Sequence, residues 1–304
     1  MRKAVIDIGT NSIKCLIADL NAGHIIPVLD IIRTTRLGAD LHKSAIISPS
    51  SMQRSFEAIR ELKELCNLYQ AEKIICVGAM TLRLASNAEE FIHRVKTEMG
   101  LDIIVLSGDK EAELSFLAAA ELAEYDSDEI MVIDIGGGST EIAIGTKKQV
   151  TRVKSLCLGA VSLTTKLLHS DPPSPQELGS LQKQIQETLE KHYPDPKSYP
   201  GIGCGGTLTS LAAVFHSLNS YNAQIVHGTM LSREEIRRQI DIYMSRNLEE
   251  RKHIQGLDPQ RADIIIAGTA IIYGIMEHFS RSDITVSDRG LRHGALIKSA
   301  LGQL

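Results

Sequence analysis

The chain has 304 residues, 43% hydrophobic and 23% charged, an ordinary globular composition with apolar material for two cores. Its net charge of −4 argues against nucleic acid as a partner, because nucleic-acid binders carry a basic surface field. The same acidity means that any polyanionic substrate must be attracted locally.

The N-terminus enters an apolar run at once, with no small-residue cleavage site, so no signal peptide is expected. Residues 3–8, 12–20 and 24–33 read as strands, with a hairpin signal at Asn21-Ala22-Gly23. Met52, Phe56, Ile59, Leu62 and Leu65 fall at helical spacing within 50–69. A strand over 73–77, a helix over 87–99, a strand over 102–106 and a helix over 109–124 complete the first half. The second half opens on strands 130–135, 140–145 and 148–157, and a Pro-rich loop at 171–175 leads into a helix over 176–191. A short strand over 202–204 precedes helices at 207–216, 232–244 and 259–279, a strand at 283–287 and a last helix over 290–301. The apolar stretch 264–276 is too short to cross a bilayer, so no membrane partner is expected. Cys15, Cys66, Cys76, Cys157 and Cys204 form no C-x-x-C pair, which disfavours a disulfide framework or a zinc site and suits buried free thiols in a reducing cytoplasm.

The halves are related. Val5-Ile-Asp-Ile-Gly-Thr-Asn-Ser-Ile-Lys-Cys-Leu-Ile17 and Val132-Ile-Asp-Ile-Gly-Gly-Gly-Ser-Thr-Glu-Ile-Ala-Ile144 lie 127 residues apart and share seven of thirteen positions. Each copy reads as strand, glycine turn, strand. In the first turn the backbone N–H groups of Gly9, Thr10 and Asn11, with the Asn11 and Ser12 side chains, can converge on an anion. In the second, three glycines at 136–138 allow close approach of a phosphate to the backbone. Asp134 and Glu141 flank that turn, and two carboxylates beside a phosphate call for a cation, Mg²⁺ being the natural choice.

Two such loops resemble the actin, sugar-kinase and heat-shock-chaperone superfamily. That resemblance implies two duplicated ribonuclease H-like (actin-like ATPase) α/β domains with the active site in the interdomain cleft. The expected domains are 1–124 with a returning C-terminal helix at about 289–304, and 125–288. Further strings narrow the family. They are Thr81-Leu-Arg83, Asn87, Ser107-Gly-Asp-Lys-Glu-Ala112, Gly205-Gly-Thr207, His227-Gly228, Gly256-Leu-Asp-Pro-Gln-Arg-Ala-Asp263 and Ser287-Asp-Arg-Gly-Leu-Arg-His-Gly294. Together they resemble the exopolyphosphatase and guanosine-pentaphosphate phosphohydrolase family over essentially the whole chain.

The resemblance implies that Glu111 activates the attacking water, that Arg83 binds the transferring phosphoryl group, and that Asp134 and Glu141 are the essential acids of the second loop. Asp7, Asp134 and Glu141 are the implied holders of Mg²⁺ or another divalent cation such as Mn²⁺. Gly9, Thr10, Asn11, Ser12, Gly136, Gly137, Gly138, Ser139, Thr140, Gly205, Gly206 and Thr207 are the implied phosphate cradle. Phosphoryl transfer is mostly positioning and charge neutralisation, which these residue types supply without a covalent nucleophile.

Two positions depart from the family pattern. Lys110 stands where a first glutamate is usual, and His293 replaces an acid in the last motif. Longer members also carry an added C-terminal helical domain, so a preference for short phosphate chains is expected of this chain. Polyphosphate and guanosine pentaphosphate both remain open as substrates. A kinase of the same superfamily is disfavoured by Glu111, and a non-catalytic actin-like assembly by the intact acids. Homodimerisation is implied by the family alone.

Overall fold

The computed structural model describes residues 1–21, 24–123 and 129–304, leaving aside the side chains of His42 and Lys43. The hairpin tip expected at Ala22 and Gly23, and the domain boundary expected after residue 124, lie outside the described residues. The chain divides into two compact units, Met1–Ala118 with Leu291–Leu304, and Ala119–Gly290.

The first unit is built on a five-stranded mixed sheet. Its strands are β1 (Arg2–Ile8), β2 (Ser12–Asn21), β3 (His24–Thr34), β4 (Lys73–Gly78) and β5 (Ile103–Val105), in the order β3-β2-β1-β4-β5. β1, β4 and β5 are parallel, and β2 and β3 add antiparallel. Its helices are α1 (Leu41–Ser44), α2 (Pro49–Leu68), α3 (Met80–Leu84), α4 (Ala88–Met99) and α5 (Gly108–Ala119). Ser48 caps α2, accepting from Ser51 N, and Pro49 suits the first helical position because its missing N–H has no intrahelical role there.

Strand alternation gives the sheet two buried faces. Ala4, Ile6 and Ile8 pack with Phe56, Ile59 and Phe91 of α2 and α4. Val5 packs instead with Leu114 of α5 and with Leu291, Ala295 and Leu296 of the C-terminal helix. Asp7 follows Val5 with strand period 2, so it shares that second face.

The second unit carries β6 (Ile130–Ile135), β7 (Thr140–Thr146), β8 (Gln149–Leu156), β9 (Gly201–Cys204), β10 (Met230–Ser232) and β11 (Asp283–Val286), in the order β10-β11-β9-β6-β7-β8. β6, β9 and β11 are parallel. Its helices are α6 (Ala160–Leu167), α7 (Pro175–His192), α8 (Gly206–Phe215), α9 (Ala223–Val226), α10 (Arg233–Met244), α11 (Leu248–Arg251) and α12 (Ile265–His278). Helix α13 (Leu291–Ala300) returns to the first unit. The core of the second unit is aliphatic, with Ile133, Ile135, Ile142 and Ile144 packed against Leu181, Ile185, Ile271 and Ile275.

The duplication extends to the backbone. The register shift between Ile17 and Ala18 in the first unit recurs between Ile144 and Gly145 in the second, the same 127-residue offset as the sequence repeat. Such bulges re-aim a strand and persist where the re-aiming matters.

Some expectations change. Residues 259–279 are not one helix. Asp258 accepts from Gln260 N at 2.9 Å and seeds a separate 3₁₀ turn over Pro259–Arg261, after which α12 starts at Ile265. The helix expected over 109–124 is α-helical only to Ala119 and tightens into a 3₁₀ turn over Ala120–Leu122. Helices α3 and α6, of five and eight residues, give too short a periodic signal to be read from sequence.

Candidate active site

In both units the chemistry-bearing residues collect at the carboxyl ends of parallel strands, where open α/β sheets place their ligands. In the first unit, β1 ends in Asp7 and the 9–12 loop, β4 leads into Thr81 and Arg83, and β5 leads into Glu111. In the second, β6 ends in Asp134 and the 136–139 loop, β9 leads into Gly205 and Gly206, and β11 leads into the segment 287–290.

The two loops close by the same bond. Gly9 N donates to Ser12 O at 3.1 Å, so it closes the loop rather than facing an anion as the sequence suggested, and Gly136 N donates to Ser139 O at 2.9 Å. Their carbonyls are also occupied. Thr10 O accepts from Gly38 N, and Asn11 O from Thr35 N and Arg36 N. In the second loop Gly136 O accepts from Ala160 N, and Gly137 O from Val161 N and Ser162 N. The N–H groups of Thr10, Asn11, Gly137 and Gly138 make no hydrogen bond among the described residues. Peptides clamped by their oxygens with their N–H groups left over form an anion-binding concavity. Asn11 adds a buried side-chain donor, Nδ2, that also lacks a partner among the described residues.

Beside the first loop, Thr81 Oγ1 donates to Thr10 Oγ1 at 3.1 Å, tying the loop to α3. Arg83, on the same helix, forms an ion pair with Glu111 and donates to Leu106 O at 2.6 Å. Glu111 lies in the first turn of α5 and is buried. Asp7 is buried at the end of β1. Burial, reinforced by the Asp7 carboxylate, pushes the Cys76 thiol up.

In the second unit Asp134 and Glu141 are direct cross-strand partners, so both carboxylates project from one face of the sheet. Glu141 Oε1 accepts from Ser155 Oγ at 2.7 Å. A Cβ on Gly205 would lie 2.6 Å from Asp134 Oδ1, so the β9–α8 turn seats directly against that acid. The Arg261 guanidinium packs on the other glycine of the turn, where a Cβ on Gly206 would fall 2.1 Å from Arg261 Nη1. Burial lowers the Arg261 pKa, while Asp258, Tyr221 and Asp263 act to raise it. The guanidinium therefore lies against the first residue of α8.

The Ppx/GppA phosphatase family profile matches residues 16–303. The chain belongs to that family. It is 30% identical to exopolyphosphatase 2 of Mycobacterium tuberculosis, over 98% of both chains. It is also 30% identical to the bifunctional 3-dehydroquinate synthase/phosphatase of Fusobacterium nucleatum, matching with 97% of its own length but spanning only 46% of that relative's. Its fold matches the crystal structure of the Aquifex aeolicus Ppx/GppA family member with a TM-score of 0.85 and 33% identity, covering 100% of this chain and 98% of that one.

Within this Ppx/GppA chain the two departures have local explanations. Lys110 Nζ pairs with Glu113 at 3.1 Å along α5. His293 is buried in α13, whose next residue, Gly294, touches α5 at Leu114. Asn87 is structural, because its amide bonds both the N–H and the C=O of Ile47.

Sequence reading gave no role to Thr81, Ser155 or Arg261. Thr81 and Arg261 sit inside family-like strings, but their contacts span 71 and 55 residues of chain and leave no local pattern. Among the described residues no three or more His, Cys, Asp or Glu side chains form a ready metal cage. Mg²⁺ commonly uses one or two carboxylates with phosphate oxygens and water, so the in-register Asp134–Glu141 pair fits it. Asp7 is the equivalent acid of the first unit.

Proposed function

We propose that this chain is an exopolyphosphatase, hydrolysing the terminal phosphoanhydride of inorganic polyphosphate. The observation that carries the reading is the pair of equivalent loops, each closed by a glycine N–H to serine O bond and each leaving backbone donors for phosphate. Full-length similarity to a protein named as an exopolyphosphatase supports it.

In this reading Glu111 orients the attacking water and takes its proton, and Arg83 meets the oxygens of the departing phosphoryl group. Gly9 to Ser12 is the phosphate-binding loop of the first unit, and Gly136 to Thr140, with Gly205, Gly206 and Thr207 at the α8 N-terminus, that of the second. Asp134 and Glu141 would hold Mg²⁺ or Mn²⁺ in the second unit, and Asp7 is the equivalent acid of the first. The cation, when bound, neutralises phosphate charge and offsets the repulsion between Asp134 and Glu141. The cytoplasm is the proposed location. No helix of the described residues is long and apolar enough to cross a membrane.

Guanosine pentaphosphate is the second reading, favoured by Arg261 over Gly206, which offers a further cation to an anion larger than a bare phosphate. The test is phosphate release with Mg²⁺ from tripolyphosphate, long-chain polyphosphate, guanosine pentaphosphate and ATP, for wild type and Glu111→Gln. Polyphosphate as the best substrate, with Glu111→Gln nearly inactive, supports the first reading. Preference for the nucleotide selects the second, and turnover unaffected by Glu111→Gln overturns the assigned chemistry.

A further inference from the structure

Five non-glycine residues among those described have positive φ: Arg36, Ala45, Gln70, Ser217 and Ser280. Four are explained by helix termination. Ala45 ends α1, and Gln70, Ser217 and Ser280 follow the last turns of α2, α8 and α12, where a left-handed residue lets the chain satisfy the final carbonyls. Arg36, at φ 53°, ends no helix. It sits two residues past β3 in the segment that clamps the 9–12 loop.

That segment works through its backbone. Thr35 N and Arg36 N donate to Asn11 O at 3.2 and 2.8 Å, Gly38 N donates to Thr10 O at 3.0 Å, and Ala39 N closes a turn on Arg36 O at 3.2 Å. A glycine or asparagine at position 36 would hold the same geometry with less strain. The second unit clamps its loop from Ala160, Val161 and Ser162, in the first turn of α6, without a left-handed residue. The strain is therefore particular to the first unit, and an arginine with its side chain exposed occupies it. Persistent backbone strain at a ligand loop points to a role for the side chain that the strain presents. The chain is acidic overall, so a polyanion needs local cations here. Asn11, whose carbonyl Arg36 N holds, carries the buried unpartnered Nδ2 donor.

We infer that Arg36 is a substrate-binding residue that contacts a non-scissile phosphate of a polyphosphate chain seated on the 9–12 loop. The inference rests on the proposed function and adds a specificity-determining cation to it.

The test uses the full chain with Arg36→Gly, which removes both charge and strain, and Arg36→Gln, which removes the charge alone. Tripolyphosphate is the probe, by calorimetric binding without divalent metal and by turnover with Mg²⁺. Arg36→Gly is expected to melt above wild type yet bind tripolyphosphate about tenfold more weakly, the scale of one lost charge-assisted bond. Its KM should rise by more than its kcat falls. Arg36→Gln should show the same weakening without the gain in melting temperature. If both variants bind as tightly as wild type, the inference falls while the proposed function stands. If wild type binds tripolyphosphate through Arg36 but releases no phosphate, the function falls and the subsite stands. Absence of binding by folded wild type overturns both.

Discussion

Arg83 and Glu111 are ion-paired with each other across 28 residues of chain. The two groups proposed to serve phosphate and water are thus mutually engaged. A phosphate drawing on Arg83 would leave the Glu111 carboxylate to water, which makes the pair sensitive to an anion. Both ends are held, Arg83 by Leu106 O and Glu111 by its place in the first turn of α5.

A double-mutant cycle measures that relationship. Arg83→Ala and Glu111→Ala should each destabilise the fold, the double variant less than their sum, with a coupling of about 1 kcal/mol, since the pair is only partly buried. Glu111→Gln should lower kcat by about 10²–10⁴-fold, the usual range for a general base, with melting temperature little changed. Thermal denaturation and initial rates read the two effects separately.

Gly205 should tolerate no side chain. It lies at φ +88°, and a Cβ would meet Asp134 Oδ1 at 2.6 Å and Ile135 O at 2.8 Å. Gly205→Ala is expected to cost more than about 2 kcal/mol, combining left-handed strain with overlap, and to abolish turnover. Gly100→Ala is the control, since Gly100 has φ +67° but nothing within 4 Å. It should cost about 1 kcal/mol and spare activity.

Gly294 sets the distance between α13 and α5. A Cβ there would lie 1.9 Å from Leu114 O, one helical turn after Glu111. Gly294→Ala should therefore push α5 aside, costing about 1–3 kcal/mol. Its kcat loss should exceed that of a variant equally destabilised at a site remote from α5, such as Leu189→Ala at the end of α7 in the other unit.

His227 should make stability fall in acid. Burial lowers its pKa, Arg289 adds to the lowering, and Asp288 and Glu121 oppose it. Its Nδ1 accepts from Asp288 N at 3.2 Å, a bond that the neutral ring makes and the cation loses. A folded-state pKa below the unfolded value means that the unfolded chain takes up the proton first. This contribution is complete above the unfolded pKa of about 6.5 and is lost as pH falls through the folded pKa. Melting temperature from pH 8 down to pH 5 should decline less for His227→Gln than for wild type.

The sequence by itself determined the order of the longer strands and helices, the duplication and the placement of most acids. Strand and helix periodicities are local, and two copies of one strand-turn-strand string announce themselves at any separation. Asp134 and Glu141 stood out by flanking their own glycine turn, and Glu111 only through the family resemblance. Only the tertiary structure decided what those residues touch. The Arg83–Glu111 pair, the Thr81–Thr10 bond, the seat of Gly205 on Asp134 and the packing of Arg261 on Gly206 join residues 28 to 71 positions apart. Such contacts depend on sub-ångström proximity, and no local periodicity encodes that. The left-handed backbone of Arg36 was hidden for a related reason. Nothing in Thr34-Thr-Arg-Leu-Gly38 requires a positive φ at the arginine until the Asn11 carbonyl is brought within reach of its N–H.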